Sequence, residues 1–103
     1  MRFQGKVAII TGAGRGLGAV YAAALAREGG AVVVVDRPGS DVEAAASTIR
    51  ASGASCLAVA ADLTEADQVA RMVRAALEAY GRIDILINNA GGGSSSPGNG
   101  VGL

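Results

Sequence analysis

Histidine is absent from this chain, tryptophan is absent too, cysteine occurs once and proline twice. Each gap removes a class of chemistry. Without histidine there is no Ser-His-Asp triad, no Cys-His dyad and no typical zinc site. The single cysteine, Cys56, cannot close a disulfide within the chain. Aromatic residues make up only 3% of the 103, so a core must be built from aliphatic side chains. Nine basic residues balance nine acidic ones. That neutrality leaves no electrostatic footprint for nucleic acid or an anionic membrane surface. No apolar run approaches the ~20 residues of a membrane-spanning helix. The stretch after Met1 to Lys6 is too short in apolar residues for a secretory signal. The expectation is a protein of the reducing cytoplasm with no nucleic-acid, membrane or metal partner.

Half of the residues are hydrophobic, enough for one small packed domain. Glycine supplies 16 of the 103, about twice its usual share of roughly 7%. Small residues at that density point to turns where a backbone approaches a ligand closely.

The chain alternates regularly between two patterns. Val7 to Ile10 is a short, continuous apolar run, as in a strand buried on both faces. A glycine-rich turn, Gly12 to Gly18, follows. Leu17, Val20, Tyr21, Ala24 and Leu25 then recur at helical spacing and predict one apolar stripe, closed by Gly29 and Gly30. Ala31 to Val35 holds four consecutive β-branched residues and predicts a second strand, ending at Asp36. After the turn Arg37-Pro38-Gly39, Ser40 and Glu43 have the spacing of a capping box for a helix toward Arg50, closed by Gly53. Cys56 to Ala60 predicts a third strand. Thr64 is the expected N-cap of a third helix, with Val69, Val73, Ala76, Leu77 and Tyr80 on one face and Gly81 at its end. Ile83 to Ile87 predicts a fourth strand. This β-α-β-α-β-α-β order implies parallel strands with right-handed crossovers. The pattern itself admits two sheet orders, 3-2-1-4 and 2-1-3-4.

Four places carry candidate chemistry. Thr11-Gly12-Ala13-Gly14-Arg15-Gly16-Leu17-Gly18 lies between a buried strand and a helix, where glycines permit a tight turn and close approach to a pyrophosphate. The spacing is T-G-x-x-x-G-x-G, not G-x-G-x-x-G, and no Gly-Lys-Ser/Thr follows as in a Walker loop. Asp36, at the end of the second strand, could accept hydrogen bonds from the ribose hydroxyls of NAD and would repel the 2′-phosphate of NADP. Arg15 and Arg37 act the other way, since either guanidinium could pair that phosphate. Asp62 and Leu63 follow the third strand, within reach of an adenine amino group. Asn88-Asn89-Ala90-Gly91 follows the fourth, at the carboxyl edge where open α/β sheets bind ligands. In this reading Asn88 is mainly structural, whereas Asn89, Ala90 and Gly91 face the cofactor.

Together these motifs resemble the short-chain dehydrogenase/reductase family, in its order and near its spacing, from residue 5 to about residue 92. The resemblance implies a Rossmann-type three-layer αβα fold with a parallel sheet in the order 3-2-1-4, truncated after the fourth strand. Residues 1–91 would form a partial NAD(P)-binding domain and residues 92–103 a flexible, Gly/Ser-rich tail. Position by position it implies cofactor contacts at Gly12, Gly14, Arg15, Gly16, Leu17 and Gly18. It implies further contacts at Asp36 and Arg37, at Asp62 and Leu63, and at Asn89, Ala90 and Gly91. NAD is the preferred cofactor, from Asp36, and NADP the alternative, from Arg15 and Arg37. The implied activity is hydride transfer between a nicotinamide and a small carbonyl or alcohol, in a parent expected to be a homo-oligomer.

The family's catalytic Ser and Tyr-x-x-x-Lys pair have no counterpart in these residues. Tyr21 is followed by Leu25 and Tyr80 by Asp84, and the only lysine is Lys6. No catalytic residue is therefore assigned, and the chain alone is expected to be inactive. The alternative function is a non-catalytic dinucleotide-binding module. A flavodoxin-like or methyltransferase-like domain would explain neither the glycine spacing nor the Asn pair. A fourth strand without a neighbour would present an apolar edge that favours association.

Overall fold

A computed structural model of the chain describes residues 2–89. The expected tail over 92–103, and the site positions Ala90 and Gly91, lie outside the described residues. Seven elements follow the alternation read from the sequence: β1 (Val7–Thr11), α1 (Gly16–Arg27), β2 (Ala31–Asp36), α2 (Val42–Ala51), β3 (Cys56–Ala60), α3 (Ala66–Tyr80) and β4 (Ile85–Asn88). The four described strands form one parallel sheet in the order β3-β2-β1-β4. Of the two orders the pattern admitted, the structure has 3-2-1-4.

Strand alternation divides the core into two layers. Ala8, Ile10, Val32, Val34 and Cys56 point to the face covered by α1 and α2. Val7, Ile9, Val33, Val35 and Val59 point to the face covered by α3. The central strands are therefore dry on both sides, which is why β1 and β2 read as unbroken apolar runs. The register is fixed by pairs such as Ile9 with Val33 and Ile9 with Leu86.

Helix α1 corrects the expected stripe. Gly18, Ala22 and Ala26 form its buried face, while Leu17, Val20 and Tyr21 are among the most exposed large apolar residues. The cause is distance. A Cβ on Gly18 would stand 2.3 Å from the Gly12 carbonyl oxygen, so only the smallest side chains fit where α1 meets the turn. Leu17, Val20 and Tyr21 are turned outward, although their spacing is helical, whereas Leu25 packs against the core as expected.

Two caps and one strand boundary also differ. The residue capping α2 is Asp41, without a side-chain cap bond, so the Ser40–Glu43 box does not form. Ser40 belongs instead to the preceding turn, where its N–H donates to the Arg37 carbonyl at 3.2 Å. Glu43 pairs with Arg50 two turns along, at 2.7 Å. At α3 the cap is Glu65 rather than Thr64. The Thr64 hydroxyl donates to Asp62 Oδ1 at 2.6 Å, a local turn that outcompetes capping. On the same helix Leu77 is exposed and Met72 buried, whereas Val69, Val73, Ala76 and Tyr80 pack on the sheet as read. Strand β4 starts at Ile85 because Asp84 is used below it. The Asp84 N–H donates to the Val7 carbonyl, and its carboxylate accepts the Val7 N–H, both at 2.8 Å. No helix among the described residues is long and apolar enough to cross a membrane.

Candidate functional site

Parallel strands bring the ends of β1, β2, β3 and β4 to one edge, and with them the four motifs. Thr11 ends β1, Asp36 ends β2, Asp62 and Leu63 follow β3, and Asn88 ends β4. Residues as far apart in sequence as Gly12 and Asn89 thereby become neighbours.

The glycine turn is shaped for close approach. Gly16 opens α1 with φ +67°, a conformation that L side chains rarely adopt, and a Cβ built there would meet nothing within 4 Å. The space above it is therefore open to a ligand. Arg15 occupies the N-cap of α1 in an extended conformation and makes no side-chain cap bond. The first-turn N–H groups and the positive end of the helix dipole are thus left for an anion. Leu17, in that turn, is 61% exposed.

Asp36 is tied to this turn. Its Oδ2 accepts the Gly14 N–H at 2.9 Å and its Oδ1 the Arg37 N–H at 2.8 Å. Asp36 and the loop after it border a cavity of about 270 Å3, lined by Gly14, Arg15, Asp36, Arg37, Pro38, Gly39, Ser40 and Asp41. The Ser40 hydroxyl oxygen, on this lining, is buried without a hydrogen-bond partner. Two guanidinium-bearing residues and two carboxylate-bearing residues share the lining, so the cavity carries no strong charge of one sign.

Asp62 is held as a turn. Its Oδ1 accepts both the hydroxyl and the N–H of Thr64, at 2.6 and 3.0 Å. Those bonds, the hydroxyl's first, and the positive charge of Arg37 keep its carboxyl below the usual carboxylate range, against a smaller opposing effect of burial. The Asp62 N–H donates to Gln68 Oε1 at 2.6 Å, a contact that fixes the loop to α3. Leu63 is partly buried and packs on the α3 side of the core.

At the end of β4, both amides hold the edge together. The Thr11 hydroxyl donates to Asn88 Oδ1 at 3.0 Å and accepts the Asn89 N–H at 2.9 Å. Asn89 Nδ2 reaches the Gly12 carbonyl at 3.4 Å. Asn88 has the structural part read for it, and Asn89 shares it. Thr11, which opens the glycine-turn motif but is not among the expected cofactor contacts, also belongs to this edge. A polar residue at the buried end of an apolar strand, 2% exposed here, was the available signal.

A family model described as short chain dehydrogenase matches residues 6–100. An uncharacterized oxidoreductase of Mycobacterium tuberculosis is 45% identical over 91 residues, which cover 88% of this chain and 35% of that protein. Among solved structures, NAD+-bound xylitol dehydrogenase superposes with a TM-score of 0.84 at 35% identity, over 88% of this chain and 35% of that one. A metagenomic short-chain oxidoreductase in complex with NADP gives 0.82 at 38% identity, over 88% and 41%. The chain spans about a third of the length of the curated relatives it matches.

Proposed function

The chain belongs to the short-chain dehydrogenase family, and from that premise we propose that it is the dinucleotide-binding part of an NAD(P)-dependent oxidoreductase. The carrying observation is convergence: the glycine turn, Asp36, the Asp62 loop and Asn89 meet at one sheet edge around an α1 N-terminus that has no side-chain cap. The residues present fit a dinucleotide. Gly16 leaves open space where a Cβ would stand, and the N–H groups that follow it suit a pyrophosphate. In this reading Gly12, Gly14, Arg15, Gly16, Leu17 and Gly18 hold the phosphates and the adjoining ribose. Asp36 and Arg37 take the adenosine ribose, and Asp62 and Leu63 the adenine. Asn89, Ala90 and Gly91 follow the cofactor past β4.

The cofactor, when bound, supplies hydride exchange with a small carbonyl or alcohol. This chain's own residues bind and orient it. No residue of the chain is assigned the proton transfer, so the 103 residues alone are proposed to bind without catalysing. A non-catalytic dinucleotide-binding module is the second reading, and whether the natural protein carries a Tyr-x-x-x-Lys pair separates the two. The whole enzyme is proposed to be a homo-oligomer of the cytoplasm, where a free thiol such as that of Cys56 persists.

NAD is the proposed cofactor over NADP. A 2′-phosphate would have to lie beside the Asp36 carboxylate, which disfavours NADP, whereas Arg15 and Arg37 could pair that phosphate and keep NADP as the alternative. Titration of the protein with NADH and NADPH tests this, read by nicotinamide fluorescence. Tighter binding of NADH is expected. Equal affinities would remove Asp36 from the preference, and no binding of either would reject the dinucleotide reading.

A further inference from the structure

Asp36 is engaged on three sides without any ligand. Its side chain accepts the N–H of Gly14 from the glycine turn and the N–H of Arg37 from its own loop. Its carbonyl accepts the N–H of Ala61, at the start of the loop after β3, at 2.9 Å. One residue therefore joins three of the loops that border the site.

The bond to Gly14 is the informative one. It spans 22 positions of sequence and links the end of β2 to the turn just before α1. A carboxylate there accepts a charge-assisted hydrogen bond near the positive end of a helix, and both effects favour it. The turn is built around the contact. A Cβ on Gly14 would come within 2.7 Å of Asp36 Oδ2, so any side chain at this position would push the carboxylate away. Gly14 does not have a positive φ. Its lack of a side chain serves the approach of Asp36 and not an unusual backbone.

We propose that Asp36 is a positioning residue for the glycine turn, acting through its hydrogen bond to Gly14, in addition to its role at the ribose. The inference deepens the dinucleotide reading and rests on it where cofactor affinity is concerned. It separates two properties that one side chain combines. The negative charge sets which dinucleotide is accepted. The acceptor oxygen sets how firmly the turn is held for either. Removing both together discriminates poorly between cofactors, because the turn that holds their shared pyrophosphate is loosened at the same time. An amide of the same shape removes the charge and keeps one of the two acceptors; with its oxygen toward Gly14 it gives up the bond from the Arg37 N–H.

The experiment compares wild type, Asp36→Asn and Asp36→Ala. Amide exchange at Gly14, followed by NMR without cofactor, reads the bond directly. Gly14 is expected to be protected in wild type and to exchange about tenfold faster or more in Asp36→Ala. The amides of β1 and β2 report that the sheet is intact. Unchanged exchange at Gly14 in Asp36→Ala would overturn the proposal.

Cofactor affinity supplies the second readout. Asp36→Asn is expected to gain affinity for NADPH over wild type. Asp36→Ala is expected to bind both NADH and NADPH about tenfold more weakly than Asp36→Asn. Equal affinities of the two variants, with Gly14 protected from exchange in Asp36→Asn but not in Asp36→Ala, would overturn the positioning role. A wild-type protein that binds neither dinucleotide, yet protects Gly14, would reject the dinucleotide reading and leave the positioning of the turn supported by exchange.

Discussion

The backbone N–H of Asn89 donates to the hydroxyl of Thr11 across 2.9 Å, joining residues 78 positions apart. The same hydroxyl donates to Asn88 Oδ1 at 3.0 Å, so one side chain closes the β1–β4 edge as both acceptor and donor. Thr11 itself is 2% exposed, whereas Asn88 is exposed and Asn89 half-buried, so the cost of losing these bonds falls mainly on the buried hydroxyl position. Thr11→Val keeps the shape and removes both bonds. The expected loss is roughly 1–3 kcal/mol of stability, read from urea unfolding, with most of it recovered in Thr11→Ser. Equal stability of Thr11→Val and wild type would contradict the closing role.

Gly18 is predicted to tolerate no side chain. A Cβ there would lie 2.3 Å from the Gly12 oxygen and 2.9 Å from the Ala13 Cα, both backbone atoms. Gly18→Ala should cost about 1–3 kcal/mol through forced separation of α1 from the turn. The helical gain of alanine over glycine, about 1 kcal/mol, works against it. A thermal melt of the variant at or above the wild-type midpoint would show that α1 does not approach so closely.

Asp84 links acid sensitivity to the far edge of the sheet. The Arg82 side-chain bond, first, and the Val7 N–H hold its carboxyl below the usual carboxylate range, against a smaller effect of burial. A depressed carboxyl stabilises the fold above its unfolded pKa of roughly 3.9, and that contribution is lost as pH falls through the folded value. The stability gap between wild type and Asp84→Asn should therefore be open at pH 7 and narrow below about pH 4. Urea midpoints measured across that range check it. A gap that stays constant into acid would place the effect of Asp84 outside its charge.

Cys56 is predicted to be inert in the folded protein. Burial pushes its thiol up to about 11, with a smaller opposing effect of the Arg50 charge. Thiolate at neutral pH should be scarcer than in the unfolded chain by roughly two orders of magnitude. Alkylation by iodoacetamide should be slow in buffer and fast in urea. Equal rates would mean that α2 does not cover this side chain.

Legibility in the sequence follows from where the governing physics is local. The runs Val7 to Ile10 and Ala31 to Val35 are readable as strands because burial on both faces leaves continuous β-branched and aliphatic residues. Gly81 is readable as a helix end because α3 needs a left-handed residue there, with φ +78°. The face of α1 is not readable from periodicity. Leu17, Val20 and Tyr21 have the spacing of a core stripe, but the backbone of Gly12 and Ala13 admits only Gly18 and its small neighbours. The caps fail for a related reason. Ser40 and Thr64 have the right type one residue too early: the Thr64 hydroxyl is taken by Asp62, and Ser40 joins the turn to Arg37 through its N–H, with its hydroxyl unpartnered. The site motifs are visible as residues, whereas the bonds Asp36–Gly14 and Asn89–Gly12 arise only when the strand order brings distant ends together.

The open space at Gly16, ahead of the α1 N-terminus, is proposed to hold the phosphates of a nicotinamide dinucleotide. The direct measurement is a titration of wild type and Gly16→Val with NADH, with far-UV circular dichroism of both. A side chain there would meet a backbone at φ +67° and fill the approach to the first-turn N–H groups. Saturable binding to wild type, none detectable in the variant, and nearly equal helix content are expected. Equal affinity of the two proteins for NADH would contradict that placement.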